Sequence, residues 1–174
     1  MSSPDELRKH LENMDRAFGD KTPKHDALQI WCIRNALVIS AYALCLLRRP
    51  RNQCQEKVLS LISATAEFAL QAPYRREVYH LDVRIDVKTE YCERPDGKTC
   101  KHWENREVVG VECKPHIESF GDLIRQIRRY QVWGGPQVMV VVSPDDRFVQ
   151  EIEAQGFAFF GPTQARVLTD GLPT

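Results

Sequence analysis

The chain of 174 residues carries 24 basic and 24 acidic side chains, so its formal net charge is zero. This length suits one domain with a short extension, and a hydrophobic content of 43% is typical of a soluble globular protein. A neutral chain cannot attract nucleic acid through the field of its whole surface, so any such binding must come from a local basic patch.

The first 19 residues are polar and lack the apolar segment of a secretory signal. The most apolar stretch, residues 30–47, contains Arg34 and Asn35, so its apolar run falls far short of the ~20 residues that a membrane span needs. Six cysteines are spread along the chain without a secretory context, which favours reduced thiols. We therefore expect a soluble cytoplasmic protein with no membrane partner.

Capping residues and helical spacing predict three helices in the first part of the chain. The first covers residues 3–19, and the second runs from residue 22 to about residue 49, where Pro50 stops it. The third covers residues 52–70 and ends before Pro73. The second helix is long and apolar, so it could form a homodimer or pack against its own domain.

Beyond Pro73 the spacing changes from helical to alternating. Residues 80–88 place polar side chains on one face and apolar side chains on the other, which predicts a strand with one buried face. A turn at residues 95–98 separates it from a second strand over residues 108–114. The remaining predicted elements are a helix, a buried strand, a second helix and a short strand, at residues 121–133, 138–142, 143–156 and 157–160.

This order of elements predicts an α/β protein whose mixed β-sheet is flanked by helices. We expect residues 1–50 to form a helical extension packed on the core, residues 51–160 to form the main domain, and residues 161–174 to form a tail.

The two alternating strands bring acidic residues together. In a hairpin centred on residues 96–97, Asp82 lies opposite Glu112, and two facing carboxylates repel each other unless a cation lies between them. Mg²⁺ prefers such oxygen ligands and also accepts substrate phosphate. Asp86 is on the same face as Asp82 and is a rival for the role of first acid.

Two further groups of the second strand complete this predicted site. Lys114 is two residues from Glu112 on the same face, where its amine could position or deprotonate a water molecule or neutralise charge on a phosphate. The main-chain carbonyl of Cys113 could supply another metal ligand. The alternative interpretation is a solvated strand face with cross-strand ion pairs, each worth ~0–1 kcal/mol.

These residues give the chain a resemblance to the PD-(D/E)XK nuclease superfamily. The segments 79–82 and 111–115 are similar to the catalytic strands of transposon endonucleases, and Gln126 and Tyr130 resemble the Gln-x-x-x-Tyr element of RecB-like members. The resemblance implies a restriction-endonuclease-like core, in which a helix is followed by a three-stranded antiparallel meander, another helix and a strand. Residue 81 is leucine where many members have proline.

The resemblance also implies roles for individual residues. Asp82 and Glu112 would be metal ligands, Lys114 the catalytic lysine, and Gln126 and Tyr130 supporting residues that contact the active site or DNA. Members often carry a further acid on the preceding helix, a place that Glu67 or Glu56 could fill; Glu67 is slightly favoured.

Three arginines, Arg125, Arg128 and Arg129, lie away from the apolar stripe of the helix that carries Gln126. They could bind a phosphate backbone without reading sequence, or they could form a solvated helix face. The expected protein is therefore a nuclease dependent on Mg²⁺ or Mn²⁺, acting on DNA or RNA, with endonuclease action favoured.

Two alternatives remain. The same fold could serve as a catalytically silent DNA- or protein-binding accessory or inhibitor protein of a phage or mobile element. A weaker alternative is a zinc-stabilised structural protein that uses Cys92, Cys100 and His102, although these offer only three ligands at loose spacing.

Overall fold

The computed structural model describes residues 23–47, 54–71, 78–93 and 101–161. Its helices are α1 (Pro23–Arg34), α2 (Ala36–Leu47), α3 (Phe120–Val132) and α4 (Val149–Ala154). Its strands are β1 (Cys54–Gln71), β2 (Val78–Glu93), β3 (Lys101–Cys113), β4 (Val138–Val142) and β5 (Ala158–Phe160). The predicted first helix, the predicted turn at 95–98 and almost all of the predicted tail lie outside the described residues, as do the side chains of Glu56, Cys92, Cys100 and His102.

The five strands form one sheet in the order β1-β2-β3-β4-β5. The first three strands are an antiparallel meander, whereas β4 and β5 are parallel to β3. The parallel step from β3 to β4 needs a crossover, and α3 provides it. The expected α/β class with a mixed sheet flanked by helices is therefore confirmed.

The predicted pairing of the two alternating strands is also confirmed. Val83 pairs with Val111 and Ile85 with Val109, which is the register expected for a hairpin centred on residues 96–97. All four of these side chains are buried. One buried face fixes this register, because a slip of one residue would turn every apolar side chain toward solvent.

The predicted helix over residues 52–70 is wrong, because this segment forms strand β1, which pairs with β2 along its length. The register shifts between Leu61 and Ser63, and this irregularity interrupts the alternation that would have indicated a strand. The segment's β-branched residues suit a pleated strand, and pairing with β2 overrides the helical spacing.

The predicted helix over residues 22–49 is two helices, α1 and α2, which meet at an angle of 79°. Asn35 lies at the break, where its side-chain amide donates to the Trp31 carbonyl at 2.8 Å. Among the described helices, none has by itself the length and apolar character needed to cross a membrane.

Two apolar layers cover the two sides of the sheet. One joins α1 and α2 to the sheet through Ile39, Leu44, Val111 and other buried residues, and the other joins α3 and α4 to it through residues such as Ile127. Residues 36–47 thus cover one side of the core.

The predicted helix over residues 143–156 begins only at Val149. The preceding residues form a loop, in which Asp145 N donates to Ser143 Oγ at 3.0 Å and Asp145 carboxylate oxygens accept from Ile117 N and Arg147. The side chains of Ser143 and Asp145, which could have capped a helix, therefore form the hydrogen bonds of this loop instead. Gly156 follows α4 with φ of 82°, a conformation that favours glycine.

Candidate active site

A cleft of about 770 Å³ lies where β2 begins, β3 ends and α3 follows. Its wall brings together residues that are far apart in the sequence. Those predicted for the site that line the cleft are Glu67, Asp82, Glu112, Cys113, Lys114, Gln126 and Tyr130.

Three acidic residues come from three adjacent strands. Because Val83 pairs with both Ala66 and Val111, its neighbour Asp82 lies between Glu67 of β1 and Glu112 of β3. The exposed fractions of these three residues are only 8%, 5% and 0% for Glu67, Asp82 and Glu112. Burial of several carboxylates in one place is costly unless cations or donors compensate it.

Glu67 was expected on a helix, but it lies on β1 with φ of 50°. A non-glycine residue rarely adopts this left-handed conformation, and such strain is concentrated at functional sites. The Gln29 side chain donates a hydrogen bond to the Glu67 carboxylate. The backbone therefore directs Glu67 into the cleft at a conformational cost.

Glu112 has a strongly perturbed carboxylate. Burial, followed by the negative charge of Asp82, raises the pKa of Glu112 from its ordinary value of 4.5 to about 7. Lys114 opposes this shift through an ion pair, with its Nζ 2.7 Å from Glu112 Oε1. A strongly shifted, fully buried acid in a cleft is typical of a functional site.

Asp82 is held by groups from two elements. Its Oδ2 accepts a hydrogen bond from Cys113 N at 2.7 Å, which links β2 to the end of β3. His25 Nε2 of α1 lies 3.2 Å from Asp82 Oδ1, and Gln29 Nε2 donates to the main-chain carbonyl of Asp82 at 3.3 Å. Asp82 is thereby oriented toward the cleft from both sides.

His25 and Gln29 were not predicted as site residues. Both belong to α1 and are separated by four positions, which places them on one face of the helix. That spacing is common and carries no chemical signature, so the only usable signal was two polar residues one helical turn apart.

A chain of hydrogen bonds supports Lys114. Its Nζ donates to Gln126 Oε1 at 3.2 Å, Gln126 Nε2 donates to the Tyr130 hydroxyl, and that hydroxyl donates to the His80 carbonyl at 3.0 Å. Burial, with the nearby charge of Glu112, raises the pKa of Tyr130, which therefore stays protonated. The predicted Gln-x-x-x-Tyr element thus fixes the amine beside Glu112.

Tyr130 was expected to contact the active site or DNA, and its position favours a contact with the active site. Its ring is only 1% exposed and packs in the apolar layer beneath α3. The hydroxyl is used by Gln126 and the His80 carbonyl. Tyr130 is therefore placed to support Gln126.

The rival acid Asp86 lies elsewhere on β2. Arg84 donates to it through Nε and Nη2, both at 2.9 Å, and Ser63 Oγ donates weakly at 3.4 Å. In the described part of the chain, Asp86 is not one of the cleft-lining residues. The structure therefore groups Asp82, and not Asp86, with Glu112.

The three arginines of α3 have different surroundings. Arg125 forms an exposed ion pair with Asp122, a residue of the cleft wall. Arg128 donates to the Gln155 carbonyl at 2.8 Å and lies over the Phe157 ring, whereas Arg129 lies over the Tyr79 ring. Arg125 and Arg129 thus have partners on the cleft wall, and Arg128 faces α4.

Comparison with known proteins adds no relative. No family model, no curated protein and no solved structure matches the chain. The roles of the cleft residues must therefore be argued from their geometry.

The donors of the cleft suit a hard divalent cation. Within the described ranges, no three His, Cys, Asp or Glu side chains form a ready-made ligand cluster. Asp82 and Glu112 nevertheless supply carboxylate oxygens whose charges interact, and the Cys113 carbonyl is adjacent in sequence. Mg²⁺ needs only one or two protein carboxylates, since it keeps waters and takes substrate phosphate as ligands. The negative charge of Asp82 contributes, after burial, to the raised pKa of Glu112, and a cation between the two carboxylates would offset this repulsion.

Proposed function

We propose that this protein is a nuclease that hydrolyses phosphodiester bonds with a divalent cation, Mg²⁺ or Mn²⁺, and that DNA is its substrate. One observation carries the proposal: Glu112 is fully buried beside Asp82, and Lys114 pairs with it in an open cleft. Two close acids and an amine form a site for a cation, a phosphate and an attacking water molecule.

The order of elements supports the proposal. Helix, three-stranded antiparallel meander, helix and strand follow one another from α1 to β4, as the resemblance to PD-(D/E)XK nucleases implies. Asp82 and Glu112 lie on the second and third strands of that meander, and Gln126 and Tyr130 lie on the helix that follows it.

In the proposed reaction, Asp82, Glu112 and the Cys113 carbonyl would hold the cation. When bound, the cation neutralises charge on the phosphate oxygens and lowers the pKa of water. The Lys114 amine is held by Gln126 and directs the attacking water toward the phosphorus atom in line with the leaving oxygen. Because Glu112 is fully buried, bulk water does not screen its charge, which strengthens its interactions with Lys114 and with a bound cation.

The second candidate is a catalytically silent DNA-binding module with the same site. The ion pair between Lys114 and Glu112 favours it, because that pair compensates both charges without any cation.

Nicking of a supercoiled plasmid with Mg²⁺ or Mn²⁺ separates the two candidates. We expect Glu112→Ala and Lys114→Ala each to lower the nicking rate by roughly 100-fold or more, as is usual when one stabilising group is removed from an active site. Cleavage that survives both substitutions would refute the mechanism. DNA binding without cleavage under either metal would favour the silent module.

Asp82→Asn and Asp86→Asn form a matched pair, because both change an aspartate of β2. We expect the first to abolish nicking and the second to leave its rate within about threefold, because only Asp82 lines the cleft beside Glu112. The opposite result would make Asp86 the first acid.

A further inference from the structure

Three residues that no prediction had singled out form a cluster at the mouth of the cleft. His116 lines the cleft two residues beyond Lys114, and its Nδ1 lies 2.9 Å from Asp145 Oδ2. Arg147 donates through Nε and Nη2 to the same carboxylate, both at 2.7 Å. One carboxylate therefore orients both an imidazole and a guanidinium.

Asp145 is itself fixed in place. Its Oδ2 accepts from Ile117 N at 3.0 Å, and its side chain is only 9% exposed. The hydrogen bonds from Arg147, and then that from Ile117 N, hold the pKa of Asp145 well below its usual range. Arg147 Nη2 also donates to the Ile117 carbonyl at 2.9 Å. The loop around Asp145 and the segment after Lys114 are thus connected by several hydrogen bonds.

The two basic side chains remain accessible to a ligand. His116 is 62% exposed and Arg147 is 55% exposed, and their atoms Nε2 and Nη2 are 3.4 Å apart. Asp145 uses Nε and Nη2 of the guanidinium, so Nη1 is not committed to it. Arg147 Nη2 already donates to Asp145 and to the Ile117 carbonyl, so Arg147 Nη1 and His116 Nε2 are the nitrogens that could contact oxygens of a single phosphate, which is a common use of arginine.

The position of the cluster relative to Lys114 suggests which phosphate it would meet. Only Pro115 lies between Lys114 and His116, so the Cα atoms of these two residues are at most about 7 Å apart. That distance is comparable to one nucleotide step along a strand. Elsewhere on the wall, Glu118 and Asp122 are acidic and would repel a backbone.

We propose that His116 and Arg147 form a subsite for the backbone phosphate next to the one attacked beside Lys114. This inference rests on the proposed function, since it assigns the subsite to the same nucleic-acid substrate. Phosphate contacts of this kind fix the register and orientation of a strand and do not read its sequence. Asp145 is a positioning residue, because it holds both side chains through its carboxylate.

Binding of a fluorescent DNA oligonucleotide in the presence of Mg²⁺ tests the subsite. All proteins carry Lys114→Ala so that the substrate stays intact, and affinity is measured by fluorescence anisotropy over a series of salt concentrations. Addition of His116→Ala and Arg147→Ala together should weaken binding by roughly tenfold and reduce the slope of log affinity against log salt by about one. His116→Ala alone should give part of this effect and should leave the fold intact, because the His116 side chain is exposed.

Arg106→Ala is the matched control, because Arg106 is an exposed arginine of β3 outside the cleft lining. It should leave both affinity and slope unchanged. The subsite is refuted if the parent protein binds DNA and neither His116→Ala nor the pair of substitutions changes its affinity or salt slope. The proposed nuclease function would survive that result. If the parent binds no DNA and the unmodified protein nicks none, the proposed function fails, and the subsite fails with it.

Discussion

Replacement of Glu112 by glutamine removes the charge of the fully buried acid and retains its shape. In the metal-free protein, the pKa of Glu112 is raised to about 7 by burial and by Asp82. A carboxyl group whose pKa is raised by folding stabilises the native state below its ordinary pKa of 4.5, where it is protonated. That stabilisation is lost as the pH rises through about 7. Glu112→Gln should not show the loss.

The size of this effect follows from the shift. One pKa unit corresponds to about 1.36 kcal/mol, so the full shift corresponds to roughly 3 kcal/mol of unfolding free energy. Most of it, roughly 2–3 kcal/mol, should appear between pH 5 and pH 8. Other groups also titrate in this range, so the informative quantity is the difference between the pH dependences of the wild type and Glu112→Gln.

Urea unfolding followed by circular dichroism, without divalent metal, measures this difference. Glu118→Gln is the matched control, because Glu118 is an exposed acid of the same cleft, and its pH profile should follow that of the wild type. At pH 8, Mg²⁺ should stabilise the wild type and have little effect on Glu112→Gln, since a ligand stabilises the state that binds it. Parallel pH profiles for the wild type and Glu112→Gln would refute the reasoning about the buried charge.

Two further substitutions test the support beneath the site. Tyr130→Phe removes the hydroxyl that links Gln126 to the His80 carbonyl. We expect the free energy of unfolding in urea to fall by roughly 1 kcal/mol and the nicking rate with Mg²⁺ to fall as well. An unchanged nicking rate would show that Lys114 does not depend on this link. Gly135→Ala would place a Cβ 2.6 Å from the main-chain oxygen of Tyr130. Thermal unfolding should therefore show a decrease of roughly 1–3 kcal/mol in the free energy of unfolding. Wild-type stability would mean that the backbone relaxes to remove this contact.

Local signals in the sequence determined the central part of the fold. The alternation in residues 80–88 and the turn at 95–98 together predicted a register that the structure confirms, with Val83 opposite Val111. Strand β4 and helix α3 were also predicted nearly to the residue, because a short run of valines and a single apolar stripe each suit one kind of element. The prediction that Asp82 and Glu112 lie near each other followed from that register.

Strand β1 and the break between α1 and α2 could not be predicted in this way. The alternation in β1 is interrupted at Leu61 and Ser63, and only its partner β2 identifies the segment as a strand. The bend at Asn35 lies where α1 ends and α2 begins to pack across the sheet. In both places, contacts between distant segments override local propensity.

The residues of the cleft also divide into those that the sequence predicted and those that only the tertiary structure brought to the site. The sequence by itself determined which acids and which lysine alternate on adjacent strands, because a period of two is a local property of the backbone. Only the tertiary structure decided that His25 and Gln29 of α1 contact Asp82, and that Asp145 holds His116 and Arg147 at the mouth. Apart from the contact between Asp145 and Arg147, which are two positions apart, these contacts join residues about 30 to 60 positions apart, and no short-range pattern encodes a contact that depends on how whole elements pack.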